Sequence, residues 1–130
     1  MKTERTYRQI IAIDRAISSY FQRMGQDTQL GIILKHFARK QLQQLRESYE
    51  ELLYINSVRF AFKDEKGVLV KDERGQLCYT VDGELDRVKA NKELLNELVE
   101  IDTRFLPEKP TGLTQDEEDA FAGIFYESEE

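Results

Sequence analysis

The 130-residue chain has no tryptophan, one cysteine, one histidine and two prolines. Each scarcity closes off a class of function. The single thiol, Cys78, forms no internal disulfide, so a disulfide-stapled secreted scaffold is excluded and a reducing compartment is the default. The single imidazole, His36, rules out a multi-histidine metal site and offers one base to any histidine-dependent triad. No run approaches the roughly 18 consecutive apolar residues of a membrane helix. The N-terminal MKTERTYRQIIAIDRAISSYF lacks the apolar core and small-residue cleavage site of a signal peptide. A cytoplasmic location without a membrane partner is therefore expected. HExxH, GxSxG, GxxxxGKS/T and GxGxxG are all missing.

What is plentiful is charge, at 34% of residues beside 40% apolar, which implies solvated helix faces around a core. Folding at this length removes about two-thirds of the unfolded chain's surface from water, enough for a single domain over 1–126, with ESEE at 127–130 a frayed acidic tail. The net charge of −6 is unevenly spread: residues 1–46 hold nine Lys/Arg against three Asp/Glu, or +6, and residues 47–130 hold ten against twenty-two, or −12. Two such halves can neutralise each other in one chain, join two copies head to tail, or leave a basic face for a polyanion.

Helical periodicity dominates the first half. Ile10, Ile13, Ile17, Tyr20 and Met24 recur at spacings of 3 and 4, with Phe21 beside them, predicting a helix over about 3–24 that Gly25 ends. Arg5, Arg8, Arg15 and Arg23 fall on the opposite, solvated side. Asp27 or Thr28 caps a second helix from Gln29, whose stripe is Leu30, Leu34, Ala38, Leu42, Leu45, Tyr49 and Leu52, widened by Ile33 and Phe37. The short connection makes the two helices antiparallel neighbours, a helical hairpin over 1–62.

Past Leu52 the pattern changes. Leu53, Tyr54, Ile55, Val58, Phe60 and Phe62 surround a continued helix on all faces, so either the helix runs to about Phe62 or 58–62 is a strand. A helix over 29–62 would be about 50 Å long, against a diameter of about 36 Å for a compact globule of this length. Its overhanging apolar end must meet another part of the chain or another subunit. Homo-oligomerisation through Leu53, Tyr54, Ile55, Val58, Phe60 and Phe62 is the expectation.

The middle of the chain repeats KDEKG at 63–67 as KDERG at 71–75, two charged turns closed by glycine. They predict strands at 68–70 and 76–81 forming a small antiparallel β-hairpin. The alternating ligands and terminal Glu of an EF-hand are absent, so no metal is expected. Asp82-Gly83-Glu84 starts a third helix to about Glu97 on a stripe of Leu85, Val88, Leu95 and Leu98. VEIDTRF at 99–105 alternates like a strand, which can make the sheet three-stranded before Pro107 and Pro110. Hairpin, helix and strand thus fill 63–105. After a proline-containing linker, within 106–126, Thr114-Gln115-Asp116-Glu117 is a capping box that opens a last helix with Ala120, Phe121, Ile124 and Phe125 on its apolar side. The fold class is α+β, mainly α.

Lys35, Arg39 and Arg46 fall within about 40° of each other beside the seam of the second helix. With Lys40 and an aromatic neighbour, Tyr49, they are the candidate contacts for a nucleotide or other polyanion. The carboxylates are many but unarranged, since a dinuclear site needs Glu-x-x-His on facing helices. Asp14 is the best candidate for a semi-buried acid, with pairing to a cation across the hairpin the simpler reading. His36 faces water, and Cys78 reads as a small apolar strand residue. No catalytic residue, cofactor or enzymatic activity is expected.

Residues 42–101 contain LQQLRESYEELL, KDEKGVLVKDERGQLCY and NKELLNELVEI. This succession resembles a loosely defined group of small accessory proteins of tailed phages and prophages, which share a long charged helix, K-D-E-x-G and D-E-x-G turns, and a helix ending in N-K-E-L. The chain departs from that group in lacking Asn after each turn glycine and in its phenylalanines before the first turn. The resemblance implies helix to about Phe62, a phage-encoded origin, a place in the host cytoplasm or virion, and no catalytic residues to transfer. The function expected is non-catalytic and interaction-based, in virion assembly or inhibition of a host system. The alternative is a counter-defence protein that sequesters a charged small ligand, such as a signalling nucleotide.

Overall fold

In the computed structural model, which describes residues 1–128, the first helix starts later than its periodicity suggests. Thr6 is extended; its hydroxyl accepts the Gln9 N–H, and the Gln9 carboxamide oxygen accepts the Thr6 N–H at 2.8 Å. This capping box starts α1 at Tyr7 (Tyr7–Met24) and leaves Lys2–Thr6 as strand β1. Residues 3–6 are thus strand rather than helix, because a long-range partner competes for them. That partner is β2 (Leu98–Asp102), antiparallel, with Thr3 opposite Ile101 and Arg5 opposite Val99. The remaining elements are α2 (Gln29–Ile33), a π-helical segment (Leu34–Ala38), α3 (Arg39–Phe60), α4 (Val81–Leu94) and α5 (Gln115–Phe121). The class is α+β and mainly helical. The chain divides into two compact units, Met1–Arg46 with Leu98 onward, and Glu47–Glu97.

In the first unit the predicted helical hairpin is present. Ile10, Ile13, Ile17 and Tyr20 of α1 share one core with Leu30, Leu34, Ala38 and Leu42. At the turn, the Tyr20 hydroxyl lies 2.6 Å from Thr28 Oγ1, which also caps α2 by accepting the Gly31 N–H. The seam residues 30, 34, 38 and 42 are four apart, a step that drifts by about 40° in a regular α-helix. The π turn, closed by the Arg39 N–H on the Leu34 carbonyl, takes up that drift and keeps all four buried.

The other side of this core comes from Ile101 and from Phe121, Ile124, Phe125 and Tyr126. α5 ends at Phe121, so Ile124 and Phe125 are buried from a turn beyond the helix, where their carbonyls accept the N–H groups of Arg104 and Leu106. The predicted strand 99–105 therefore pairs with the N-terminus rather than with the central hairpin. Its outer edge at Asp102 is closed by the Gln41 carboxamide, which accepts the Asp102 N–H at 3.0 Å and donates to its carbonyl at 3.1 Å.

The charge asymmetry is settled largely inside this unit. Residues 98–128 carry two Lys/Arg against eight Asp/Glu and fold with the basic 1–46. Lys2 pairs with Glu100 at 3.7 Å, and Arg23 pairs with the buried Glu117. The expected frayed tail at 127–130 falls partly on 129–130, which lie outside the described residues.

In the second unit α3 runs to Phe60, so 58–60 is helix rather than strand, and Phe62 lies beyond its end. The Lys63 ammonium caps the helix end, donating to the carbonyls of Val58 and Ala61 at 3.1 and 3.2 Å. The expected β-hairpin of 68–70 with 76–81 is reduced to an isolated antiparallel bridge, Lys71 to Leu77, preceded by a like bridge of Lys63 to Leu69. The Asp64 carboxylate accepts the N–H groups of Lys66 and Val68, and the Asp72 carboxylate those of Arg74 and Gln76. Phe62, Val70 and Cys78, eight residues apart, form a ring of backbone bonds instead. Val70 donates to Phe62, Cys78 to Val70 and Phe62 to Cys78, at 3.1, 3.1 and 2.8 Å.

The geometry exposes a third octapeptide behind the two evident ones: FKDEKGVL, VKDERGQL and CYTVDGEL. In the third, Thr80 stands where the others have Asp. Its hydroxyl accepts the Gly83 N–H at 3.0 Å and caps α4, so the loop motif becomes a helix start.

Candidate functional site

The cationic line survives only in part. Lys35, Arg39 and Lys40 are exposed on the first unit, but the π segment separates Lys35 from the regular helix that carries the others. Arg46 reaches Asp14 at 3.4 Å across the helical hairpin. The proposed semi-buried acid and the end of the proposed anion site therefore neutralise each other. Tyr49 is half-buried and belongs to the second unit. His36 is exposed, as its place on the wheel predicts. Among the described residues no cluster of three or more His, Cys, Asp or Glu side chains could hold a metal ion. Nor, among those residues, is any helix long and apolar enough to cross a membrane.

The apolar residues of the second unit are arranged differently from those of the first. Only Ala61 and Leu94 are buried there. The inner face of α4 is held to α3 largely by polar and steric detail. The Asn56 amide donates to Asn91 Oδ1 at 3.0 Å. A Cβ at Gly83 would lie 2.7 Å from the Phe60 carbonyl oxygen, so the absence of a side chain sets how closely α4 approaches the end of α3. Arg87 lies over the Tyr79 ring at 4.9 Å and forks onto Glu84, whose hydrogen bonds hold the guanidinium more firmly charged than usual.

Of the six predicted interface residues, Leu53, Val58 and Phe60 are half-buried within the unit, whereas Tyr54, Ile55 and Phe62 are exposed at 63, 50 and 47%. Four further residues join them. Val68, Val81, Leu85 and Val88 are exposed, with Val81 at 79% and Leu85 at 63%. Leu85 and Val88 form part of a stripe that helical periodicity assigns to a core, and the structure turns them outward. Val81, Leu85 and Val88, at i, i+4 and i+7, share one side of α4. The signal was present in the sequence, but an amphipathic stripe reads the same whether its own chain covers it or another does.

The second unit thus presents apolar surface on the C-terminal half of α3, on the loop at Val68 and along α4. This arrangement suits association through burial of side chains. Comparison with known protein families, with curated proteins and with solved structures finds no match to this chain.

Proposed function

We propose that this protein is a non-catalytic interaction protein that self-associates through its second unit. One observation carries the reading: the unit buries only two apolar side chains while seven large ones are exposed, Tyr54, Ile55, Phe62, Val68, Val81, Leu85 and Val88. Monomers scatter single apolar residues over their surfaces, but a 51-residue unit with so little interior lacks the burial that stabilises domains of that size. A second copy supplies the missing cover, at roughly 25 cal/mol for each Å² of apolar surface removed from water. The likeness of residues 42–101 to phage and prophage accessory proteins supports a role in virion assembly or in inhibition of a host system.

Size-exclusion chromatography with light scattering tests the reading. A mass that rises from one copy toward two or more between low and high micromolar protein is the expected result. A constant monomer mass over that range, with no partner recovered from phage-infected cells, refutes it.

A further inference from the structure

We infer that two copies of the protein pair through α4, antiparallel about a two-fold axis. This inference rests on the self-association just proposed and names its contact. Val81, Leu85, Val88 and Lys92 follow one another at steps of 4, 3 and 4, the a/d spacing of a helix seam, with Leu85 and Lys92 at a and Val81 and Val88 at d. The flanks of this seam are segregated by charge. Asp82, Glu84 and Asp86 lie at the start of α4 and Arg87, Lys89 and Lys92 follow them, with Glu93 the one acid after Asp86, so the two seven-residue halves carry −2 and +1. A helix whose charge reverses along its length complements an inverted copy of itself.

The antiparallel register follows from the seam. Setting Leu85 of one copy against Val88 of the other gives two symmetry-related apolar layers at the centre. The same register puts the two e positions together, Asp82 against Lys89 of the second copy, and symmetry repeats the pair. Neither Asp82 nor Lys89 is engaged by an ion pair among the described residues. The outer layers place Val81 against Lys92, whose methylene stem covers the valine while the ammonium reaches water. A parallel arrangement sets Lys92 against Lys92 and the acidic halves together, and the helix dipoles then add to the repulsion.

α4 has 14 residues and is therefore about 21 Å long. A contact of two heptads lies at the small end of specific interfaces, so a concentration-dependent micromolar equilibrium is expected rather than a permanent dimer. An isologous two-fold contact closes on itself and stops at two copies unless the α3 surface adds a second contact.

Sedimentation equilibrium of the full chain tests the pairing with Leu85→Glu, Asp82→Lys, Lys89→Asp and the double charge reversal, each checked by circular dichroism for native helix content. Leu85→Glu is expected to weaken dimerisation at least tenfold. Each single reversal sets two like-charge pairs across the axis and weakens it severalfold, and the double reversal restores it to near wild type. A wild-type monomer at every concentration overturns both this pairing and the proposed self-association. A wild-type dimer indifferent to Leu85→Glu but lost in Tyr54→Glu leaves self-association standing and overturns the α4 contact. Weakening by the single reversals without recovery in the double overturns the antiparallel register.

Discussion

Among the described residues Glu117 is the one buried charged side chain, 1% exposed, and replacing it tests how the two ends of the first unit are joined. Its carboxylate accepts the Thr114 N–H at 3.1 Å to complete the capping box of α5, the Ser19 hydroxyl at 3.3 Å, and a charged bond from Arg23. Arg23 also donates to the Gly112 carbonyl at 2.9 Å and keeps 40% of its side chain in water. The two partners are therefore not equivalent. Removing Glu117 frees a half-exposed guanidinium that rehydrates. Removing Arg23 strands a carboxylate with little access to water, and losses of that kind run to about 3–5 kcal/mol when fully buried. Ser19 and the Thr114 N–H still satisfy part of Glu117, so about 2–3 kcal/mol is expected for Arg23→Met. Glu117→Gln keeps an oxygen for the cap and loses the charge attraction, at about 1–2 kcal/mol.

The double variant Arg23→Met/Glu117→Gln has no stranded charge and is expected to recover about 1 kcal/mol relative to Arg23→Met alone. Urea unfolding followed by helical circular dichroism reads all four proteins. Equal losses from the two single changes, or a double variant less stable than Arg23→Met, would refute the account of a carboxylate that depends on its cation.

Gly83→Ala forces a Cβ toward the Phe60 carbonyl, 2.7 Å away, and is expected to cost about 1–3 kcal/mol in the second unit, seen as faster hydrogen exchange of the α4 amides. Gln41→Ala opens the outer edge of β2 at Asp102 and removes two hydrogen bonds, for about 1–2 kcal/mol in urea unfolding. Arg46→Ala breaks an exposed pair with Asp14, and an unfolding midpoint within the equivalent of about 0.5 kcal/mol of wild type is expected.

The hairpin seam was legible because a stripe of nine or more apolar positions at helical spacing leaves one face to bury, and the TQDE cap was legible because both of its bonds are local. β1 was not. Its residues, KTERT, carry no apolar alternation, and only Ile101 and Val99, almost a hundred residues away, make them a strand. The central turns are legible from their glycines and return the chain on itself, but the paired segments stop at single bridges, and the Asp64 and Asp72 carboxylates bind the backbone of their own loops. One of the five candidate anion contacts, Arg46, is paired for a related reason. Asp14 lies 32 residues from Arg46 in sequence, and a line of cations drawn on one helix does not show which of them a neighbouring helix has already claimed. Of the six apolar residues singled out at 53–62 three are exposed, Tyr54, Ile55 and Phe62, and Leu85 and Val88 of α4, which read as interior, are exposed too.

The ring joining Phe62, Val70 and Cys78 constrains how this protein can change. Val70 and Cys78 each donate an N–H back to the preceding octapeptide and Phe62 donates to the last, so the three copies close a circuit that pairs all of these donors and acceptors. Deleting one copy removes two of the three bonds and shifts the eight-residue spacing that brings their groups together, while the exposed tips at Glu65-Lys66 and Glu73-Arg74 lie outside the ring. Diversity among related chains should collect at those tips and leave the eight-residue count intact.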